Sequence, residues 1–184
     1  AGDIYQVNLA RPWTVAYEGS ALPLFSAMRA ASPVPLGMYL ELPGRAIVAR
    51  SMERFLRWDR AGRRLRTSPI KGTIARAGDD DAEGRWLQSD DKERAEHSMI
   101  VDLMRNDLSR VAETGSVTLR EPLRVERFAG LSHLVSTVEC RTRPGLGARD
   151  VLEATFPPGS VTGTPKRAAM ELIEREEDEA RGVY

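Results

Sequence analysis

The sequence is short of the residues that most often bind transition metals. It has one cysteine, Cys140, and two histidines among 184 residues. A single cysteine excludes a disulfide within the chain, and so few thiols and imidazoles argue against a Cys/His zinc site. Any metal ion is therefore expected to be a hard cation held by carboxylates.

The sequence also lacks a net charge and a long apolar run. Lys and Arg together number 27, as do Asp and Glu, so the formal net charge is zero. A balanced charge gives no reason to expect nucleic acid or an anionic membrane as the partner. With no membrane-length apolar run and no signal-peptide pattern, the sequence predicts no transmembrane helix and a reducing, cytoplasmic setting.

The chain is long enough for one sizeable core, and its two ends predict that it is part of a longer protein. The opening run AGDIYQVNLARPW has no initiating Met and begins inside a patterned segment. The closing run EREEDEARGVY also stops inside a pattern. No internal repeat stands out between them.

Hydrophobic periodicity predicts a mixture of strands and helices. Strands are predicted over residues 4–9, over 38–70 with turns at Pro43-Gly44 and Ala61-Gly62, and over 116–128 and 132–142. Helices are predicted over residues 20–30, 89–113, 148–156 and 166–181, with an acidic polar loop over 77–85. The hairpin-like order of the strands favours an α+β fold with largely antiparallel sheet.

The clearest helix, over residues 89–113, carries two acids that could meet one metal ion. At about 100° per residue, Glu96 points within about 40° of Ile100, and Glu93 lies about 60° to one side of Glu96. One interpretation is that both carboxylates converge on Mg²⁺. The other is an acid pair on a solvated face, with a salt bridge to a neighbour such as Lys92.

The Gly/Pro segment PPGSVTGTPK has the composition of an anion-binding loop but not the spacing of a Walker loop. Gly159 and Gly163 enclose three residues, and Pro165 precedes Lys166. Its free backbone N–H groups and the helix that follows suit a carboxylate ligand as well as a phosphate. An ordinary connection between two elements is the alternative.

Three single residues each have two interpretations. Lys71, in TSPIKGTIAR, is either a solvated lysine or a nucleophile held on a rigid turn, and a nucleophilic amine must be neutral. His133 is either a satisfied core histidine or a residue beneath a substrate group. Glu53 forms an exposed ion pair with a neighbouring arginine unless it belongs to a site.

Seven runs of the sequence, in this order and spacing, resemble the chorismate-utilising enzymes. They are GDIYQVNLA (2–10), ERFL (53–56), PIKGT (69–73), KERAEHSMIVDLMRNDLSRV (92–111), HLVSTVE (133–139), GSVTGTPK (159–166) and RGVY (181–184). That family includes anthranilate, isochorismate and salicylate synthases and the large component of aminodeoxychorismate synthase. The resemblance implies an α+β fold of two packed, largely antiparallel β-sheets with helices outside. Residues 1–184 would then be a partial catalytic domain, without the family's N-terminal half and the end of the domain.

The resemblance implies a reaction that depends on position 71. In the PIxGT motif, anthranilate synthases typically have Ala and aminodeoxychorismate synthases have Lys, so Lys71 implies amination of chorismate at C4. Lys71 would attack C2 while the C4 hydroxyl, protonated by Glu53, leaves. Ammonia would then enter at C4 and expel the lysine, giving 4-amino-4-deoxychorismate for p-aminobenzoate and folate synthesis. Covalent capture divides one difficult substitution into two steps.

The resemblance also implies a cofactor, a partner and further contacts. Glu93 and Glu96 would hold Mg²⁺ against the ring carboxylate, and a glutamine amidotransferase, separate or fused, would supply ammonia. Gln6 matches a position where water-adding members have Lys, which argues against isochorismate or salicylate synthesis. The other substrate contacts would be Thr73, His133, Thr137, Gly159, Ser160, Thr162, Gly163 and Lys166.

Two other functions stay open at this point. The chain could belong to an anthranilate synthase or another enzyme that aminates chorismate, or to an inert relative that serves as a scaffold for the amidotransferase. The departures from the family motifs are Met52 for Pro, Pro158 for Gly and Cys140 for Gly. By resemblance, further metal-ligand glutamates and a substrate-binding arginine lie beyond residue 184, so the isolated chain is expected to be inactive.

Overall fold

A computed structural model describes residues 2–78 and 80–182, except for the side chain of Asp80. Val183 and Tyr184 of the RGVY run lie outside the described residues. In chain order the elements are β1 (Gln6–Val7), α1 (Ala21–Ala31), β2 (Leu36–Leu42), β3 (Arg45–Ser51), β4 (Arg54–Asp59), β5 (Arg64–Ser68), β6 (Ile70–Ala75), α2 (Asp80–Ser89), α3 (Asp91–Ser109), β7 (Thr118–Phe128), β8 (Leu131–Arg141), α4 (Ala148–Thr155), a 3₁₀ turn (Gly159–Val161), β9 (Gly163–Thr164) and α5 (Lys166–Glu176).

Strand β8 is the centre of a five-stranded antiparallel sheet. β5 pairs with its second half and β6 with its first half, while β7 pairs along the other edge and β4 extends the sheet beyond β5. Two smaller antiparallel sheets join β2 to β3 and β1 to β9. The prediction of an α+β fold with antiparallel sheets is confirmed.

Alternate residues of β8 point to opposite sides of the sheet, as in any strand. The side that packs on α3, here called the helix-facing side, carries Leu134, Ser136, Val138 and Cys140. The opposite side, here called the far side, carries His133, Val135, Thr137 and Glu139.

Helix α3 covers the helix-facing side and forms the core with it. Its N-terminus is capped by Asp90, whose side chain accepts a hydrogen bond from the Glu93 N–H at 2.9 Å. No helix of the described residues is long and apolar enough to cross a membrane. Burying each large apolar side chain contributes roughly 1.5–3 kcal/mol. The side chains of this interface, each at most 1 % exposed, are Leu65, Ile100, Met104, Leu108, Val138 and Cys140.

The prediction of a polar loop over residues 77–85 is wrong, because α2 begins at Asp80. Acidic residues stabilise the first turn of a helix through the helix dipole. Leu87 is fully buried, and Glu83 accepts a hydrogen bond from the Ala77 N–H. Gly84 lies close to Val125 of β7, so α2 packs on the sheet. These contacts override the loop-like composition.

The last predicted helix is shorter than expected and ends at Glu176. Glu177 binds Arg181, and its carboxylate also accepts the Ala10 N–H at 2.7 Å. The hydrogen bonds from Arg181 and Ala10 lower the pKa of Glu177 to about 2. Arg181 also donates to the carbonyl oxygens of Asn8 and Val161. The chain leaves the helix to make these contacts.

The predicted strand over residues 4–9 is reduced to β1, which lies against β9. A Cβ atom added at Gly163 would lie 2.1 Å from the Gln6 carbonyl oxygen, and the φ of Gly163 is 149°. Only glycine permits this approach. The close contact fixes the Gly/Pro segment beside β1, at the end of the sheet where β6 and α3 also meet.

Candidate active site

Lys71 lies on β6 where that strand departs from regular pairing. The register with β8 shifts between Ile70 and Thr73. Lys71 reaches α3, where its Nζ is 3.8 Å from Glu96 Oε2. The Lys71 side chain is 25 % exposed, whereas Lys92, which pairs with the other Glu96 oxygen at 3.9 Å, is 77 % exposed. Lys71 is therefore a sheltered amine in an acidic setting.

Glu93 approaches the same strand because Gly72 has no side chain. A Cβ atom at Gly72 would lie 3.3 Å from Glu93 Oε2 and 3.1 Å from Leu134 Cδ1. The φ of Gly72 is 93°, a region that side chains other than glycine rarely adopt. Both acids of α3 thus face the Lys71–Gly72 stretch.

The donors present fit a magnesium ion. The described residues contain no group of three or more acidic, histidine or cysteine side chains that could hold a metal ion. Mg²⁺ characteristically takes one or two carboxylates and completes its shell with water and substrate oxygens. Glu93 and Glu96, one turn apart on α3 and facing β6, match that requirement. The metal assignment itself stays a prediction.

Glu53 joins this cluster from the segment between β3 and β4. Its half-buried carboxylate accepts hydrogen bonds from the Ser160 hydroxyl and the Ile70 N–H and lies near Lys71. Burial raises the pKa of Glu53, and the two hydrogen bonds and the Lys71 charge only partly oppose that rise. The interpretation of Glu53 as an exposed partner of a neighbouring arginine does not fit these contacts.

Thr73 and His133 pair with each other on the far side of the sheet. Thr73 Oγ1 is 2.8 Å from His133 Nδ1, and His133 stacks at an angle on Phe128. His133 is 4 % exposed, and its Nε2 is buried without a hydrogen-bond partner among the described residues. Burial lowers the pKa of His133, although the Gly72 backbone and Glu126 act against it.

Thr137 lies farther along the far side and away from Lys71. Its hydroxyl is 3.3 Å from that of Ser68. It faces a cleft of about 220 Å³ that Val135 and Ile70 also line. The remaining polar lining of this cleft is rich in arginine: Arg54, Arg57, Arg66 and Arg124. The predicted site residues therefore form two groups on opposite sides of one sheet. The helix-facing group contains Lys71, Glu93 and Glu96, and the far-side group contains Thr73, His133 and Thr137.

The Gly/Pro segment packs on α3 next to Glu53. A Cβ atom at Gly159 would lie 2.3 Å from Leu103 Cδ2, so the turn sits directly on the helix. Asn8 donates a hydrogen bond to the Ser160 carbonyl oxygen, and the Thr162 hydroxyl donates to the Pro158 carbonyl at 2.9 Å. The segment is held by the protein on both sides.

Lys166 and Gln6 occupy the edges of this region. The Lys166 ammonium donates to the Asp107 carboxylate and, at 3.0 Å, to the Thr155 carbonyl oxygen. Its contact with a substrate carboxylate stays a prediction. Gln6, opposite Thr164, has a buried Oε1 without a partner among the described residues.

Sequence reasoning missed two polar residues of α3, His97 and Asp107, each 1 % exposed. Burial raises the pKa of Asp107 and lowers that of Lys166, and their mutual attraction opposes both shifts. A signal was present in the sequence. His97, Ile100, Met104, Asp107 and Leu108 follow the helical spacing of the apolar face.

Comparison with known proteins extends these observations to the whole chain. Residues 1–184 match a family model described as chorismate binding enzyme. The chain is 43% identical to aminodeoxychorismate synthase component 1 of Klebsiella aerogenes, covering 100% of this chain and 41% of that protein. It is 41% identical to anthranilate synthase component 1 of Aquifex aeolicus, covering 100% and 37%. The chain thus spans less than half the length of these relatives.

Solved structures agree with the sequence comparison. Anthranilate synthase component I from Streptococcus pneumoniae superposes with a TM-score of 0.81 and 37% identity, covering 91% of this chain and 37% of that chain. The menaquinone-specific isochorismate synthase of Escherichia coli has a TM-score of 0.69 and 28% identity, covering 85% and 37%. The described fold is therefore a fragment of the fold that these enzymes share.

Proposed function

The chain belongs to the family of chorismate binding enzymes, and on that basis we propose that it carries the nucleophile of an aminodeoxychorismate synthase. The reaction proposed is amination of chorismate at C4, by way of a covalent adduct on Lys71. Ammonia would be delivered by a glutamine amidotransferase, as a separate subunit or a fused domain.

The observation that supports this proposal most is the setting of Lys71. Its Nζ lies 3.8 Å from Glu96 Oε2, and its side chain is largely sheltered from solvent. Glu53, whose pKa is raised by burial, lies beside it. A nucleophile and a proton donor thus share one end of the sheet, as a substitution with a poor leaving group requires.

In the first step the Lys71 ammonium gives up a proton to solvent, and the neutral nitrogen forms a bond to C2 of chorismate. The ring double bonds shift, the C4–O bond breaks, and Glu53 supplies the proton with which the hydroxyl leaves as water. The alkylated nitrogen keeps the positive charge, and Glu53 is left as a carboxylate. A raised pKa suits Glu53 to this role, because a larger fraction of the carboxyl is protonated near neutral pH.

In the second step ammonia forms a bond to C4. The double bonds shift back, the C2–N bond breaks, and Lys71 leaves as an amine. The new ammonium group can return its proton to Glu53, which restores the acid for the next turnover. The net change is loss of water from chorismate and ammonia.

Glu93 and Glu96 would hold a Mg²⁺ ion, which when bound offsets the negative charge of the ring carboxylate. The turn at Gly159 and Ser160 offers backbone N–H donors beside Glu53, where it would orient a second carboxylate of the substrate. Both assignments would bring a charged end of the substrate close to Lys71.

The proposal is tested with the natural protein in its full length, supplied with chorismate, ammonium and Mg²⁺. Wild type should form 4-amino-4-deoxychorismate, identified by chromatography and mass spectrometry. Lys71→Ala should lower its formation by on the order of 10³-fold or more, because no other amine can form the adduct. Lys92→Ala is the matched control, since Lys92 also pairs with Glu96 but is exposed. Undiminished product from Lys71→Ala would refute the nucleophile assignment.

Anthranilate synthesis is the second candidate, because relatives with that name are about as similar to this chain as those named aminodeoxychorismate synthase. The same assay separates the two, since anthranilate is fluorescent and its formation releases pyruvate. A wild-type protein that yields neither product would instead support an inert scaffold.

A further inference from the structure

Strands β6 and β7 each lose regular pairing with β8, and the two shifts lie on either side of Val135. The register of β6 shifts between Ile70 and Thr73, and that of β7 shifts between Arg120 and Arg124. In the regular parts, Ile70 and Arg124 both lie opposite Val135 of β8. The backbone groups inside the two shifts therefore need partners other than those of a regular ladder.

A series of three hydrogen bonds connects the two shifts by way of Ser136 and His97. The Leu123 N–H, inside the β7 shift, donates to Ser136 Oγ at 3.0 Å. Ser136 Oγ lies 2.7 Å from His97 Nε2, and His97 Nδ1 lies 3.0 Å from the Lys71 carbonyl oxygen, inside the β6 shift. His97 and Ser136 are 1 % and 2 % exposed, so water does not compete for these bonds.

The direction of each bond follows from the groups at the two ends. A carbonyl oxygen can only accept, so His97 Nδ1 carries a hydrogen and donates to Lys71. In a neutral imidazole Nε2 then accepts, and the Ser136 hydroxyl must donate to it. Ser136 Oγ keeps a lone pair for the Leu123 N–H. This one arrangement gives a partner to every polar group in the series of three hydrogen bonds.

The backbone at Leu123, the first donor in this series of hydrogen bonds, is strained. Leu123 has a φ of 53°, a left-handed conformation that is unfavourable for a residue other than glycine. That conformation lies within the register shift whose N–H reaches Ser136. A strained conformation persists only where the surroundings hold it in place.

We infer that His97 is a positioning residue that fixes the Lys71 carbonyl and, through it, the direction in which the Lys71 side chain leaves β6. This inference rests on the proposed function of Lys71 as nucleophile. His97 itself does not touch the reacting atoms. Its role is to hold Lys71 in a stretch where the strand ladder does not, and a misplacement of about 1 Å can cost on the order of 10²-fold in rate.

Two substitutions in the full-length protein separate the two ends of the imidazole. His97→Asn keeps a donor near the Nδ1 position, whereas His97→Gln keeps an amide near the Nε2 position and loses the bond to Lys71. With chorismate, ammonium and Mg²⁺, His97→Gln should lower kcat by about 10- to 100-fold with KM for chorismate within about threefold. His97→Asn should retain kcat within about fivefold of wild type.

If His97→Gln does not fold, a second pair of variants tests the hydrogen bonds that run from Ser136 through His97 to Lys71. Ser136→Ala removes the hydroxyl that orients His97 and should lower kcat by about tenfold. Ser132→Ala is the matched control on the same strand, because the buried Ser132 hydroxyl has no partner among the described residues, and it should leave kcat unchanged. Rapid-quench mass spectrometry of the Lys71 adduct gives the same comparison for the first step alone.

The outcomes distinguish this inference from the proposed function. Wild-type kcat in His97→Gln, or equal kcat in Ser136→Ala and Ser132→Ala, overturns the positioning role while the function stands. Equal loss of kcat in His97→Gln and His97→Asn, with equal loss of thermal stability, also overturns it, because a merely structural histidine predicts that result. A wild-type protein that forms no Lys71 adduct overturns the proposed function and this inference with it.

Discussion

The chain has two histidines, and they lie in contrasting regions on opposite sides of β8. Both are buried, His97 at 1 % and His133 at 4 % exposure, and burial lowers the pKa of both. His97, between α3 and the sheet, has partners for both ring nitrogens. His133, on the far side, has a partner only at Nδ1 among the described residues.

The two histidines therefore differ in hydrogen bonding: both ring nitrogens of His97 are paired, whereas one nitrogen of His133 is not paired among the described residues. Buried polar groups in folded proteins are nearly always paired, and an unpaired one calls for an explanation. Around His97 the network is complete, so it can fix geometry but cannot take a ligand. Around His133 one nitrogen is left over, which is where a bound molecule could complete the pairing.

The largest effect is expected from Glu53, which belongs to the region around Lys71. Glu53→Gln keeps the shape and one acceptor oxygen for the hydrogen bonds from Ser160 and Ile70, but it cannot supply a proton. The rate of product formation should fall by about 10²–10⁴-fold. Because burial raises the pKa of Glu53, the wild-type rate should fall as pH rises through that pKa, and this pH-dependent loss should be absent from the variant. Steady-state rates across pH measure both.

Glu53→Gln should also raise stability, which separates a catalytic from a structural role. A carboxyl with a raised folded pKa contributes most below its unfolded pKa, and that contribution is lost as pH rises through the folded pKa. Near neutral pH the neutral amide should therefore unfold at a higher urea concentration than wild type. Glu113→Gln, which alters a more exposed pair with Arg63, is the control. A variant both inactive and less stable would contradict the assignment.

Sequence periodicity predicts the core of the fold but not its exceptions. Helix α3 follows from the Asp90 cap and an apolar face that repeats every three to four residues, which are local signals. Helix α2 does not, because Leu87 is anchored by distant parts of the chain. The early end of α5 depends on the contact between Glu177 and Ala10, which is likewise remote in sequence.

The candidate site also has one part that the sequence predicted and one part that it did not. Resemblance brought together Lys71, Glu53 and Glu96, and in the structure Lys71 lies 3.8 Å from Glu96 and close to Glu53. It did not predict that His133 lies on the other side of the sheet from Lys71. That separation arises from the register shift in β6, and one shifted residue reverses the face of every side chain after it. Periodicity cannot reveal a shift whose cause lies in neighbouring strands.

The next largest effect is on the free energy of unfolding, and it is expected at the buried ion pair between Asp107 of α3 and Lys166 of α5. The two side chains are 1 % and 14 % exposed. Asp107→Asn leaves the Lys166 charge without its counterion and should cost about 3–5 kcal/mol of unfolding free energy. Arg149→Ala, which breaks an exposed pair with Glu153, should cost less than about 0.5 kcal/mol. Chemical denaturation of both variants measures the difference, and similar costs would contradict the buried pair's role.

A smaller effect is expected at Gly72, which lets Glu93 approach β6. Gly72→Ala combines a φ of 93° with a Cβ only 3.1 Å from Leu134 Cδ1, so it should cost about 1–3 kcal/mol. Gly78→Ala is the matched control, because its φ is 108° but its Cβ would meet no atom within 4 Å. The excess cost at Gly72 measures the crowding alone. Equal costs in the two variants would show that the Leu134 and Glu93 side chains move aside freely for the added methyl group.

The smallest effect is confined to acidic pH and tests the far side directly. Because the folded pKa of His133 is lowered, its contribution to stability is complete only above its unfolded pKa of about 6.5. As pH falls through that value the unfolded chain takes up the proton first, and the free energy of unfolding decreases until the folded pKa is passed. His133→Asn removes this titration while keeping a polar group near Thr73.

The fall in the free energy of unfolding between about pH 7 and about pH 5 should therefore be smaller in His133→Asn than in wild type. Urea denaturation at each pH measures it. His97 is still present in the variant and is also buried with a lowered pKa, so part of the fall should persist. Because Glu53 and Asp107 have raised pKa values, they act in the opposite direction in both proteins and cancel in the difference. An identical fall in the two proteins would mean that His133 is not held neutral by burial, and the unpaired nitrogen would then need another explanation.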